Sequence, residues 1–203
     1  MGNSGIPVSV LDGKVSDVFI KILRYHIKPG SLVIDVTAGQ RLLWEGQNVE
    51  DYKVYYYDKN IDNEIVKKKD IFIDSYDKCS CIVYDPPYFF GVKKSNDFRK
   101  DMYGGYAGTL DELRDYMDVV KRLKESLLPG GKIILKCADQ YYVPEKKLYL
   151  HHLDWIKHLI SSGYNVIDFY VYRHHHVSPT AFQVKNRNSA VIMHTYFIVG
   201  EVI

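Results

Sequence analysis

The sequence predicts an α/β fold in which buried strands alternate with amphipathic helices. Three observations carry this expectation. Short apolar runs rich in β-branched residues, at 32–36, 82–84 and 132–137, read as buried strands. Apolar residues recur at helical spacing over 15–27 and again over 110–127. Two of the strand-like runs end in turn chemistry that halts a sheet ladder, Thr37-Ala38-Gly39 after one and Pro86-Pro87 after another. Ligands of open α/β sheets bind at the C-terminal ends of strands, so these two turns mark the candidate site.

The bulk properties set bounds. The chain has 203 residues, which fits a single domain over 1–203. Hydrophobic residues make up 46% and charged residues 26%, a balance that favours a packed core over disorder. A net charge of +2 argues against a binder driven by a basic arm, so any phosphate contact must come from a local patch. No apolar run reaches the roughly 20 residues of a membrane span. The first ten residues lack the basic start and apolar core of a secretory leader. Three cysteines, Cys79, Cys81 and Cys137, are a sparse and odd set that suits a reducing compartment, so a cytoplasmic location is expected.

In chain order, Val15, Val18, Phe19, Ile22, Leu23 and Ile27 define the first helix, with Asp12 or Ser16 as its cap and Pro29-Gly30 as its stop. The strand at 32–36 leads into Thr37-Ala38-Gly39-Gln40-Arg41, a small-residue turn followed by an expected helix start. Val54 to Asp58 reads as the second strand, closed by an acid about 20 residues beyond the turn, the spacing at which dinucleotide folds hold ribose hydroxyls. Lys67 to Lys69 reads as a solvated charge run, and Asp70-Ile71-Phe72-Ile73 as the third strand. After Tyr88 comes an aperiodic loop rich in basic and aromatic residues with glycine hinges, a substrate loop over 89–108. Its Lys93, Lys94, Arg99 and Lys100 are the candidate phosphate contacts. Thr109-Leu110-Asp111-Glu112 is a capping box for a long helix that ends at Pro129-Gly130-Gly131. The strand at 132–137, a helix from Leu150 to Ile160 stopped by Gly163, and strands at 166–173 and 192–199 complete the chain. His174-His175-His176 does not read as a metal site, because consecutive residues of an extended segment point to alternate faces and no carboxylate or cysteine set completes it. A second substrate loop is placed at 174–190.

Asp85-Pro86-Pro87-Tyr88 resembles the D-P-P-Y signature of S-adenosylmethionine-dependent amino-methyltransferases, above all the N6-adenine and N4-cytosine DNA methylases. Asp35, Thr37 and Gly39 resemble that family's first motif, with Arg41 standing where many relatives carry a second glycine. The junction around Pro129-Gly130-Gly131 and the His194-Thr195-Tyr196 segment also resemble members of the group. The resemblance implies a Rossmann-like class I methyltransferase fold: a mostly parallel seven-stranded sheet with an antiparallel terminal strand and helices on both faces. It implies S-adenosyl-L-methionine as cofactor, held by Asp35, Thr37, Ala38, Gly39, Asp58, Asp70 and Ile71. The catalytic roles fall on Asp85 as acceptor of an amine N–H and a candidate late proton acceptor, the Pro86 carbonyl, Pro87 as the rigid ledge, and Tyr88 stacking on an extruded base. The implied reaction is methylation of the N6 amine of adenine in DNA. N4-cytosine or RNA amines, and a non-catalytic nucleic-acid-binding subunit of the same fold, remain alternatives at this point. The implied partner is nucleic acid, with no membrane and no metal. A homodimer or a separate specificity partner stays open, because the chain leaves no room for a separate target-recognition domain.

Overall fold

A computed structural model describes residues 8–91, 107–174 and 190–203. Its core is one eight-stranded sheet. The strands are β1 (Val10–Asp12), β2 (Leu32–Asp35), β3 (Lys53–Asp58), β4 (Val66–Lys68), β5 (Cys79–Tyr84), β6 (Leu127–Cys137), β9 (Tyr164–Arg173) and β10 (His194–Val202). A separate hairpin pairs β7 (Gln140–Tyr142) with β8 (Lys147–Tyr149). The sheet order is β1-β9-β10-β6-β5-β2-β3-β4. Within this sheet every pairing is parallel except those of β10, which runs antiparallel to both β6 and β9. The mostly parallel sheet with one antiparallel strand is thus as expected. An eighth strand is added, because β1 pairs in parallel with the outer edge of β9 and Asp12 meets the Arg173 guanidinium at 2.8 Å.

Helices cover both faces. On one, α1 (Val15–His26) presses Val18, Phe19, Ile22 and Leu23 against Val33, Cys81, Val83 and Phe197. On the other, α2 (Leu110–Leu123) and α3 (His151–Ser161) bring Leu113, Met117, Val120, Trp155 and Leu159 onto Ile34, Ile82, Ile133 and Ile198. The central strands β2, β5 and β6 are sandwiched between these layers, which is why they read as continuous apolar runs. The α2 cap forms as a variant of the capping box: Thr109 Oγ1 accepts from the Glu112 N–H, and the Glu112 carboxylate accepts from the N–H of Gly108, one residue before the N-cap.

Several local expectations are corrected. The third strand is β4, inside the lysine run, and not 70–73, which form a turn. Asp70 Oδ1 accepts from the Phe72 N–H at 2.9 Å, and the Asp70 carbonyl accepts from Ile73, so that segment closes on itself. The lysines fit β4 because it is an edge strand paired only with β3, with Lys67 and Lys68 exposed to solvent. No α-helix follows Gly39; Leu42–Trp44 make a single 3₁₀ turn. The N-cap of α1 is Lys14 without a side-chain cap, since Asp12 is held in β1 and Ser16 is buried within the helix. Helix α2 stops at Leu123, six residues before Pro129, and Pro129-Gly130-Gly131 lies in the bulged first half of β6, where the register with β5 shifts between Cys79 and Cys81. The β7–β8 hairpin, turned through Val143-Pro144-Glu145, was not foreseen.

Replacing Thr109 with alanine removes one partner of the α2 capping box. It is expected to lower unfolding free energy by about 1 kcal/mol, read from a urea midpoint at unchanged slope.

Candidate functional site

The C-terminal edge of the parallel strands collects the site in sheet order. β3 ends at Asp58, β2 opens into Asp35–Gly39, β5 delivers Asp85 just past its last residue, and β6 carries Lys136 and leads into Asp139. Because β10 is antiparallel, its first residues, His194 and Thr195, arrive at this same edge, beside Tyr172 and His174 at the end of β9. These groups line one cavity of about 800 Å³.

Short bonds shape the β2 turn. The Thr37 N–H donates to Asp35 Oδ1 at 3.0 Å, the Ala38 N–H to the Tyr57 carbonyl at 2.9 Å, and the Gly39 N–H to Asp58 Oδ2 at 3.0 Å. Gly39 sits at φ +50°, a left-handed conformation that glycine tolerates. Arg41 takes the same region, φ 57° and ψ 37°, so the backbone there is the one a second glycine would adopt, and its guanidinium lies 5.3 Å from the centre of the Tyr56 ring. Asp35 is buried and accepts from the Trp44 indole N–H at 2.7 Å. Burial pushes its carboxyl up to about 7, against the opposing pull of the Trp44 and Thr37 hydrogen bonds.

The β5 ledge is tied to this turn. Thr37 Oγ1 accepts from the Asp85 N–H at 2.7 Å. The Asp85 carboxylate meets Lys136 Nζ at 2.9 and 3.1 Å, and Lys136 lies 3.4 Å from the Tyr88 hydroxyl and 5.1 Å from its ring centre. Lys136 is only 7% exposed. Burial alone would lower its pKa, but Asp85, with Tyr88 beside it, outweighs that and raises it. Sequence reading missed Lys136. It closes an apolar strand and reads there as a solvent-facing end, and its partner is 51 residues away.

Asp35, Thr37, Ala38, Gly39, Asp58, Ile71, Asp85, Pro86, Pro87 and Tyr88 all line the cavity. Asp70 does not: its carboxylate pairs with Lys59 at 3.1 Å and accepts from Phe72. Burial works against that charge, but the Phe72 N–H and Lys59 hold its carboxyl below the usual range. Lys93, Lys94, Arg99 and Lys100 lie outside the described residues, as does most of each expected substrate loop. Thr195 lines the cavity, and its Oγ1 is buried with no hydrogen-bond partner among the described residues. Among the described residues no cluster of three or more metal-ligating side chains occurs, and no helix is long and apolar enough to cross a membrane.

No protein-family model matches the sequence, and no curated protein matches it. Solved structures match in fold. The N-methyltransferase NodS from Bradyrhizobium japonicum WM9, solved with S-adenosyl-L-homocysteine, superposes at a TM-score of 0.54 and 9% identity, over 92% of this chain and 85% of NodS. A methyltransferase from Pyrococcus furiosus gives 0.51 at 16% identity, over 93% and 83% of the two chains. The precorrin-6y C5,15-methyltransferase from Geobacter metallireducens GS-15 gives 0.50 at 15% identity, over 93% and 88%. The fold is that of Rossmann-like class I methyltransferases. Identities this low establish the fold alone.

Two outcomes test the turn. The folded Asp35 carboxyl ionises near 7 and the unfolded one near 3.8, so between those pH values the folded state holds a proton that the unfolded state has released. Stability from this group is therefore full at low pH and falls as pH rises toward 7. Asp35→Asn is expected to lose that slope, its melting temperature gaining on the unaltered protein across the same window. At position 41, glycine fits φ 57° and alanine does not, so Arg41→Gly is expected to exceed Arg41→Ala in unfolding free energy by roughly 1 kcal/mol.

Proposed function

We propose that this protein is an S-adenosylmethionine-dependent methyltransferase acting on an exocyclic amine of a nucleic-acid base, the N6 amine of adenine in DNA being the foremost acceptor. One observation carries the reading: the Asp85-Pro86-Pro87-Tyr88 ledge and the Thr37–Gly39 turn share one cavity and are bonded to each other through Thr37 and Asp85. The neighbouring folds and the resemblance of both motifs to amino-methyltransferases support it.

The residues fit such a cofactor. The open turn at Gly39 gives close backbone approach, Asp58 ends β3 where a ribose diol would be accepted, and Ala38 and Ile71 offer apolar walls to an adenine ring. Asp58 bonds the Gly39 and Asn60 N–H groups, and each of its oxygens keeps a further lone pair for a diol. The cofactor, when bound, supplies an electrophilic methyl group on a sulfonium.

The chain's own work is on the acceptor. An aromatic amine is a weak nucleophile because its lone pair is delocalised into the ring. Asp85 and the Pro86 carbonyl accept its two N–H bonds and return electron density to nitrogen as the new bond forms. Pro86 and Pro87 fix the ledge, and the Tyr88 ring offers a stacking face to a base taken out of its helix. Pre-orientation of this kind supplies most of what an in-line methyl transfer needs.

The test is incubation with deuteromethyl-labelled S-adenosylmethionine and, separately, duplex DNA, single-stranded DNA and total RNA, each then digested to nucleosides for mass spectrometry. Labelled N6-methyladenine in DNA is expected. Label in RNA or on another base would move the substrate, and no label on any nucleoside would overturn the reading. Asp85→Asn is expected to cut transfer on the order of 100-fold or more. Cofactor affinity by calorimetry should stay unchanged. Pairing it with Lys136→Met removes both partners of the ion pair together and separates lost chemistry from lost folding.

A further inference from the structure

We propose that the proton released on methyl transfer leaves through His194, held in its accepting tautomer by Tyr196 and Asp139, and not through Asp85. This rests on the amine-methylation reading above. Transfer to a neutral amine forms an N–C bond as the S–C bond breaks, its electron pair passing to sulfur. The nitrogen then sheds a proton, the N–H electron pair staying on nitrogen, and that proton needs an acceptor.

Asp85 is poorly suited to be one. Both of its oxygens face Lys136 Nζ, and protonating them would leave a buried ammonium unbalanced. Asp85 orients the amine as a hydrogen-bond acceptor.

The opposite wall of the cavity holds a better candidate. His194 Nε2 lies 2.7 Å from the Tyr196 hydroxyl, and that hydroxyl donates to Asp139 Oδ2 at 3.0 Å. Asp139 is 4% exposed and is fixed by His152, whose Nδ1 reaches its two oxygens at 2.7 and 2.9 Å and whose backbone N–H donates to it at 3.2 Å. The proton positions follow from this chain. An ionised carboxylate only accepts, so Tyr196 spends its single proton on Asp139. The short contact to His194 is then an Nε2–H donating to the Tyr196 oxygen, which leaves Nδ1 of a neutral imidazole with the lone pair. A proton arriving there makes an imidazolium that Asp139 stabilises through Tyr196, in the way a buried carboxylate supports a catalytic histidine. Tyr196 and Asp139 are positioning residues.

β5 and β10 are separated only by β6, and the register sets His194 about three residues further along the edge than Asp85, so about 14 Å lies between their backbones across the cavity that both line. An amine bonded to Asp85 and a short water chain bonded to His194 cover that span. Other titratable groups share the neighbourhood: His174 and Arg173 on β9, Lys136 and Cys137 on β6, and His151, His152 and Asp154 on α3. Arg173 is drawn off by Asp12, and burial with Lys136 and His194 nearby lowers the pKa of His174. Asp139 is the anion of the relay, bonded directly to His152 and reaching His194 through the Tyr196 hydroxyl.

Two measurements decide the matter. Imidazole ¹⁵N shifts of the unliganded protein should show His194 in the Nε2–H form at neutral pH, with Tyr196→Phe mixing the tautomers. In pH–rate profiles of single-turnover methyl transfer, the unaltered protein should show an acid limb. His194→Gln should lose that limb and fall on the order of 100-fold in rate at unchanged cofactor affinity. Tyr196→Phe should keep the limb but move it to lower pH, because the imidazolium loses its anion. An Nδ1–H tautomer in the unaltered protein, or His194→Gln with an unaltered rate and limb, would overturn the relay while leaving the methyltransferase reading standing. Absence of transfer by the unaltered protein to any amine would overturn both.

Discussion

A buried ammonium sets the terms on which this site exists. Lys136 sits in β6 beneath the ligand edge, where an isolated charge would cost several kcal/mol. It is tolerable only with Asp85 ionised against it, and Asp85 is in turn held by its backbone N–H on Thr37. The ion pair ties the ends of β5 and β6, and the Thr37 hydrogen bond adds β2. Breaking such a pair from one side typically costs about 3–5 kcal/mol, whereas two apolar residues could fill the same space without penalty. The pair is thus better understood as a fixture of the site than of the fold. It keeps the carboxylate aimed along the ligand edge.

The remainder of the edge divides by sheet order. Strands β3 and β2 carry the backbone turn and its acids, β5 carries the ledge, and β6, β10 and β9 carry the hydrogen-bonded aromatic and histidine wall. The single reversed strand makes this division possible, since only an antiparallel β10 delivers its N-terminal residues beside the C-terminal ends of its neighbours. The folds it resembles include an N-methyltransferase and a precorrin methyltransferase, so the architecture admits different acceptors.

Features written in local pattern were legible in the sequence. The apolar strands, the capping box, the glycine turn, and Asp58 and Asp85 as strand-terminal acids all follow from neighbouring residues, because turn chemistry and periodicity are short-range. What failed depended on distant partners. Lysines 67–69 look like a solvated run unless an edge strand is known to need them, and 70–73 look like a strand until the Asp70 side chain closes its turn. Asp70, which the family resemblance offers to the cofactor, pairs with Lys59. Lys136, Asp139 and Tyr196 form their contacts across 51 and 57 residues of chain, and no spacing rule reveals them. The one hint was Lys136 itself, a charge ending an otherwise apolar strand.

The connections from β2 to β3 and from β3 to β4 carry no α-helix, only a 3₁₀ turn and loops, so most residues of β3 remain half-exposed while β5 is almost wholly buried. Free energy of local opening follows buried contact, and this sheet is consequently graded across its width. Its β5–β6–β10 centre behaves as the slow-exchanging unit, and the β3–β4 flank as a separate, more readily opened one. A ligand bridging Gly39, Asp58 and Asp85 would span that boundary and join the two into one cooperative body. Occupancy would then be felt as a rigidity of the flank, far from the bond being made.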